Sequence, residues 1–316
     1  MAFDVISLGE LLVEFVRKER DGVHTTPGTY LGPYPSGAPA ITIDSCARLG
    51  LKTGFIGVVG NDDFGQLLIK RLASDGVDVS KIYIDENSMT GMAFVAYRVD
   101  GSRRFVFNLK FSASAKLSPD HIEVDYVGKS KVLHISGSTI FISKSSKEAC
   151  EKAVTIAKQN NVLVTLDPNL RPELASLEES REALSFFISK SDVILVGEDE
   201  LLKLFDTQYL NEAIQKLFDR GPKIVVVKRG KRGSMMVTRS GDVVEASAFT
   251  VKEVDPTGAG DVYNAAFIYG YLKGWGYRDI LIFANAAGAV KVMKVGPMEG
   301  PESIDEISKI IREFKV

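Results

Sequence analysis

The chain has 316 residues, 45% hydrophobic and 25% charged, a length that fits two units or one large α/β domain and can bury a full core. Its 39 basic and 41 acidic residues leave a formal charge of −2, without the basic excess that nucleic-acid binding demands, and the composition excludes wholesale disorder, collagen and coiled coil. Two cysteines, Cys46 and Cys150, build neither a disulfide framework nor a Cys-rich zinc site, so a reducing, cytoplasmic setting is expected.

The opening FDVISLGELLVEFV carries Asp4, Glu10 and Glu14 without a basic leader and reads as strand rather than signal peptide. No apolar run approaches the roughly 20 residues of a membrane span. Continuous apolar runs at 5–8, 53–59, 132–136, 162–166, 193–196 and 224–227 predict strands covered on both faces. Helical patterns alternate with them at 63–74, 145–160, 178–189, 211–220 and 303–314; Ser145 with Glu148, and Ser303 with Glu306, have capping-box spacing. The alternation predicts a three-layer, doubly wound α/β fold around a mostly parallel sheet. Two stretches, about 14–34 and 91–110, break the rhythm. They read as a small antiparallel β lid, the second folded about Asp100-Gly101, and a sheet so attached covers either a site or a partner subunit.

The segment DPTGAGDVYNAAF, at 255–267, follows an apolar stretch and precedes a helical pattern. Gly258 and Gly260 let the backbone approach a ligand, and unpaired amides at a helix start attract phosphate oxygens. Asp261 either caps the helix or serves as a general base toward a hydroxyl that attacks a phosphoryl group. Neither a P-loop nor a dinucleotide fingerprint is present, because Gly230-Lys231-Arg232-Gly233 has the wrong order.

DPTGAGD, taken with PSGAPAITIDSCARLGLKTGFIGVVGNDDFG at 35–65, resembles the ribokinase-like (PfkB) sugar kinases. The resemblance extends through GELLVEF, DPNLRPEL, VKRGKRGSMM and ANAAGAVKVMKVG, over nearly all of residues 1–316 as one domain. It implies an ATP-dependent kinase using Mg2+, with Asp261 as base and the amides of Gly258, Ala259 and Gly260 as anion hole. Lys228, Gly230, Gly233, Asn285 and Ala289 fall in its nucleotide-binding segments, together with Gly258 and Gly260. Glu14, Gly37, Ala38, Asn61 and Tyr97 fall in sugar-contacting or lid segments, although Asn61 and Asp62 have a turn-shaping alternative. Arg171 matches an arginine near phosphate and substrate, against the alternative of a surface ion pair; Asp167 is readable as an ordinary strand-end acid. Glu200 matches a residue tied to magnesium through water. The lid of many relatives is also a dimer contact, which implies a homodimer; the expected partners are a sugar and a nucleotide, with no nucleic acid and no membrane.

Three positions depart from the family pattern. Glu14 replaces an aspartate, Ile41 replaces an asparagine after GAPA, with Ser36 or Thr42 as substitutes, and Gly197 replaces the asparagine of Asn-x-x-Glu. Ile41 and Gly197 motivate a second reading, a catalytically silent sugar-binding regulator on the same fold. The motifs resemble those of fructokinases, 2-keto-3-deoxygluconate kinases and tagatose kinases, which implies transfer to a primary hydroxyl of a ketohexose or keto-sugar acid. Tyr97, Arg98, Arg103, Arg104 and Lys110 lie on or beside the second lid segment. Two of these cations facing inward would accommodate a sugar carboxylate; a solvated charged face would favour a neutral ketose. His134, Trp275, Met235, Met236 and both cysteines read as core or packing residues.

Overall fold

The apolar runs form strands because alternate residues meet two different cores. Val193 and Leu195 enter one apolar cluster and Ile194 and Val196 the other; Ile224 and Val226 separate from Val225 and Val227 in the same way. A period of two with both faces apolar is the signature of a sheet between two helix layers. The computed structural model describes residues 2–99 and 102–314.

The strands are β1 (Val5–Leu8), β2 (Leu12–Arg17), β3 (Tyr30–Ser36), β4 (Thr53–Gly60) and β5 (Val77–Asp85). β6 (Gly91–Tyr97) and β7 (Arg103–Phe107) follow, then β8 (Val132–Ser136), β9 (Leu163–Asp167), β10 (Val193–Gly197) and β11 (Ile224–Lys228). β12 (Ser234–Thr238) and β13 (Val243–Ala246) end the series. Nine of them build one sheet in the order β13-β12-β11-β10-β9-β8-β1-β4-β5. Every pairing from β11 to β5 is parallel, and β12 runs antiparallel to both neighbours at the far edge. The expected mostly parallel sheet is therefore present.

On one face lie α1 (Ala38–Arg48) and α2 (Asp63–Ser74). The chain then crosses to the other face with α3 (Val124–Gly128), α4 (Gly137–Ile140), α5 (Lys144–Gln159), α6 (Leu177–Lys190), α7 (Glu198–Phe205) and α8 (Leu210–Phe218). It returns with α9 (Ala259–Leu272), α10 (Tyr277–Val292) and α11 (Ile304–Glu313). The helix predicted at 145–160 starts one residue earlier, and its capping box is Ser143 with Ser146 rather than Ser145 with Glu148. Ser303 does cap α11, accepting from the Glu306 amide. No helix among the described residues is long and apolar enough to cross a membrane.

The lid is a four-stranded sheet in the order β3-β2-β6-β7. Each hairpin, β2 with β3 and β6 with β7, is antiparallel as expected, but the two are joined by a parallel pairing of β2 with β6. The Asp100-Gly101 turn lies outside the described residues. His134 is buried and its Nδ1 lies 2.9 Å from the Thr165 hydroxyl, and Trp275 packs edge-on against Tyr269 and Phe283.

Candidate active site

β1, β8, β9, β10 and β11 all end on one side of the sheet, and the chain reverses its winding between β8 and β1. In open α/β sheets the crevice at such a reversal is where ligands bind. Polar residues gather at these ends. Glu10 follows β1; it is buried, and its carboxylate accepts from the hydroxyls of Ser138 and Thr139, both at 2.6 Å, on α4. Asp167 ends β9, Gly197 ends β10 and Lys228 ends β11.

Asp167 is no ordinary strand-end acid. Its Oδ2 accepts from Lys228 Nζ at 2.6 Å and from Asn264 Nδ2 at 2.7 Å, and Lys228 also donates to Asn264 Oδ1 at 3.2 Å. Burial opposes ionisation of Asp167, yet the Lys228 ammonium beside it holds the carboxyl below its usual range. The same arrangement acts on Asp261. Burial first, and then the Asp167 charge, push the Asp261 carboxyl up to about 7, with Lys228 and Arg171 pulling the other way.

The turn before α9 shows how the sequence builds an anion site. Gly258 is the residue before the helix, at φ 84°, and a Cβ there would lie 2.3 Å from the Pro297 carbonyl oxygen. Only glycine fits both demands. α9 begins at Ala259, so Asp261 lies in its first turn rather than at its cap, and no side chain caps the helix. The capping alternative for Asp261 is thereby removed. The Ala259 amide donates to the Pro256 carbonyl at 3.3 Å, whereas among the described residues the amides of Gly258, Gly260 and Asp261 meet no backbone carbonyl and face a ligand, and the helix dipole favours an anion there.

A cavity of about 270 Å³ opens above this turn, lined by Glu10, Glu14, Ser36, Gly37, Ala38, Ile41, Arg103, Ser138, Asp167, Arg171, Glu200, Lys228, Gly258, Gly260 and Asp261 among others. A second cavity of about 420 Å³ is lined by Lys228, Gly230, Gly233, Ala259, Gly260, Asn285 and Ala289, with apolar walls from Phe249, Val251 and Val292. Lys228, Pro256 and Gly260 belong to both. Of the predicted nucleotide-binding set, Lys228, Gly230, Gly233, Gly260, Asn285 and Ala289 line the second hollow, whereas Gly258 lines the first cavity. Asn285 presents its side-chain amide to the carbonyls of Ala246 and Ser247, at 3.1 and 3.2 Å, and so anchors that hollow's rim.

Most of the predicted acceptor-side residues also converge. Glu14 is buried; Ser36 Oγ donates to its Oε2 at 3.3 Å, while Oε1 is buried without a protein partner. Burial, then the neighbouring Asp255, push its carboxyl up to about 8, against Arg103 and Ser36. Gly37 takes φ 115° ahead of α1, where a Cβ would meet the Glu10 carbonyl oxygen at 2.3 Å. Arg171 lines the cavity and donates to the Leu170 carbonyl at 3.3 Å; among the described residues it pairs with no carboxylate, contrary to the surface ion-pair alternative. Ile41 fills the wall where an asparagine was expected; of its substitutes, Ser36 lines the cavity, whereas Thr42 bonds to the backbone of Ala38 and Asp261.

Two predicted contacts are corrected. Asn61 is exposed, bonds to Glu86 at 2.7 Å and does not line the cavity; with Asp62 capping α2 and receiving Thr90, this segment shapes a turn. Tyr97 does not line the cavity either. Its hydroxyl is tied to Asp255 and Thr257, so it fastens the lid to the anion turn. Of the lid cations, Arg103 faces the cavity, and Arg98, Arg104 and Lys110 are exposed away from it. Sequence reasoning missed Glu10, Asn264 and Lys291, whose roles arise from contacts between distant segments.

Glu200 lines the cavity, with Oε1 accepting from the Leu170 amide at 2.9 Å and Oε2 from the Gly197 amide at 3.2 Å. Burial and Asp167 raise its carboxyl above the usual value. Among the described residues no group of three His, Cys, Asp or Glu side chains is disposed to hold a metal ion.

The profile of the pfkB family carbohydrate kinases matches residues 2–304. The chain is 34% identical to "Probable fructokinase-3" of Arabidopsis thaliana, over 96% of this chain and 90% of that one. It is 31% identical to a 5-dehydro-2-deoxygluconokinase of Geobacillus thermodenitrificans, over 99% and 94%. An E. coli protein described as ribokinase II, solved in complex with ATP and Mg2+, superposes with a TM-score of 0.92 at 40% identity, over 98% of this chain and 99% of that one. With a profile that spans almost the whole chain and an acid-and-amide turn at the mouth of two adjoining cavities, the protein belongs to the pfkB family of carbohydrate kinases and is a phosphotransferase acting on a sugar hydroxyl.

Proposed function

We propose that the chain transfers the γ-phosphoryl group of ATP to a primary hydroxyl of a ketohexose, with Asp261 as general base. The observation that carries this reading is the position of Asp261, uncapped and partly buried in the first turn of α9, between the polar cavity and the amides of the glycine turn. A carboxyl near 7 is matched to accepting a hydroxyl proton at neutral pH. The amides of Gly258 and Gly260, with that of Ala259 once it leaves its 3.3 Å bond to Pro256, and with Lys228 and Arg171, supply donors for charge that develops on the transferring group. The apolar hollow beside Asn285 and Ala289 takes the base of the nucleotide, and Gly230, with nothing within 4 Å of where a Cβ would stand, keeps its rim open.

The residues present fit magnesium carried in by the nucleotide. With the two Glu200 oxygens already engaged by amides and no three-acid cluster among the described residues, the ion would be held by phosphates and water, with Glu200 acting through water. When bound, magnesium neutralises phosphate charge and orients the phosphates.

For the acceptor, a single lid cation turned inward falls short of what a sugar carboxylate needs, which favours a neutral ketose such as fructose or tagatose. A keto-sugar acid is the second reading, favoured by Arg103, which among the described residues pairs with no carboxylate. A homodimer through the lid is proposed from Leu31 and Val106, which leave apolar surface on it. Phosphate transfer from magnesium ATP to fructose, tagatose, 2-keto-3-deoxygluconate, ribose and a nucleoside tests the whole proposal. Turnover of a ketohexose above the others is expected. Tight sugar binding without turnover of any acceptor would instead support the silent regulator.

A further inference from the structure

Lys291 is the one lysine with no solvent exposure among the largest buried side chains described. It lies near the end of α10, and its ammonium donates to two backbone carbonyls, that of Asp255 at 2.9 Å and that of Lys294 at 3.2 Å. A charge placed there costs desolvation free energy, and carbonyl dipoles alone compensate it poorly. Burial pulls its ammonium below the usual lysine value, while the carboxyls of Asp255, Glu14 and Glu299 push back. Such a residue is retained against a stability cost, and its surroundings say what for. The two carbonyls belong to the two segments that form the back of the anion turn.

Those segments are stitched together at several points. The amides of Val254 and Asp255 both donate to the Val292 carbonyl, at 2.7 and 3.1 Å. The Gly296 amide donates to Asp255 Oδ2 at 2.9 Å, and the Thr257 amide to Asp255 Oδ1 at 2.9 Å. Gly258 lies against the Pro297 carbonyl without room for a Cβ. A shift of either segment therefore moves the amides that open α9.

We infer that Lys291 is a positioning residue for phosphoryl transfer, a tethered cation that draws the Asp255 and Lys294 carbonyls together and so fixes the glycine turn that receives the phosphate. The inference rests on the kinase reading for its activity assay but not for its binding assay. A carbonyl-lined space that loses its ammonium accepts a small free cation, whereas a retained apolar chain blocks it. Lys291→Ala opens that space and Lys291→Met fills it.

The test compares kcat, sugar KM and calorimetric ATP affinity for the wild type, Lys291→Ala and Lys291→Met, each in ammonium chloride or tetramethylammonium chloride. Both variants are expected to lose about tenfold or more in kcat with sugar KM changed by less than about threefold. Ammonium restores kcat and ATP affinity in Lys291→Ala only, and the wild type responds to neither salt. The inference is overturned by a folded Lys291→Ala with kcat within about twofold of wild type, by a loss carried in sugar KM, or by a loss that ammonium does not reverse. Should the variants fail to fold, a wild-type kcat that rises about fivefold or more on adding ammonium overturns it, because the tethered cation then leaves its work undone, and an unresponsive wild type supports it. A wild type that turns over no sugar ends the kinase reading alone, and the inference is then judged on ATP affinity and its restoration by ammonium.

Discussion

At the scale of single residues the proposed chemistry rests on Asp261, and two properties of its surroundings can be measured. Replacement by Asn keeps the shape and removes the base, so kcat is expected to fall by about 10²- to 10⁴-fold in a steady-state assay, with sugar KM little changed. In the wild type, kcat/KM should rise with pH through about 7, because the base works only when ionised. Glu14, pushed up to about 8, is a neutral acid at pH 7 and can donate to the sugar, so the same profile should fall again through about 8. Glu14→Gln, which donates at any pH, should keep the rising limb and flatten the falling one. Gly258→Ala forces a Cβ to 2.3 Å from the Pro297 oxygen at a left-handed φ, and loss of turnover with a lowered Tm is expected. Asp261, Gly258 and Gly260 were legible in the sequence because the role proposed for them is local to one turn. Glu10, Asn264 and Lys291 were not, since each becomes meaningful only where segments more than 30 positions apart meet. Tyr97 and Asn61 were misplaced for the converse reason: neighbours of a site in sequence, they spend their polar atoms on Asp255 and Glu86.

The elements were readable wherever burial imposed a period. β10 and β11 alternate strictly between the two cores, and Leu195, fully buried in one of them, should cost about 2–5 kcal/mol of stability on replacement by Ala, measured by urea unfolding. Helix ends were less legible, because a cap depends on one hydrogen bond that several serines in a row can make. In the run Ser143-Lys144-Ser145-Ser146, the reciprocal bonds fall to Ser143 and Ser146. At α6 the signal is unambiguous: Ser176 Oγ accepts from the Glu179 amide while Glu179 reaches back to the Ser176 amide at 2.8 Å. Ser176→Ala should therefore lose about 1 kcal/mol with no effect on sugar or ATP affinity. The parallel seam between β2 and β6 was not readable, because the choice of edge by which two hairpins meet is set by the body they cover, not by their own alternation.

At the scale of the whole molecule, the lid and the sheet's carboxyl edge enclose the polar cavity, and the second hollow lies along α9 and α10 on the far side of the turn. The partition between them consists of Lys228, Pro256 and Gly260. Nothing in that partition is poised to carry the group covalently, since the Lys228 amine is engaged by Asp167 at 2.6 Å and by Asn264 at 3.2 Å. In the proposed reaction both reactants are therefore present at once, and the migrating phosphorus passes straight from one oxygen to the other. Initial-rate lines should intersect rather than run parallel, isotopically chiral phosphate should emerge with inverted handedness, and one molecule joining a ketose to a nucleotide through a short polyphosphate should occupy both chambers together.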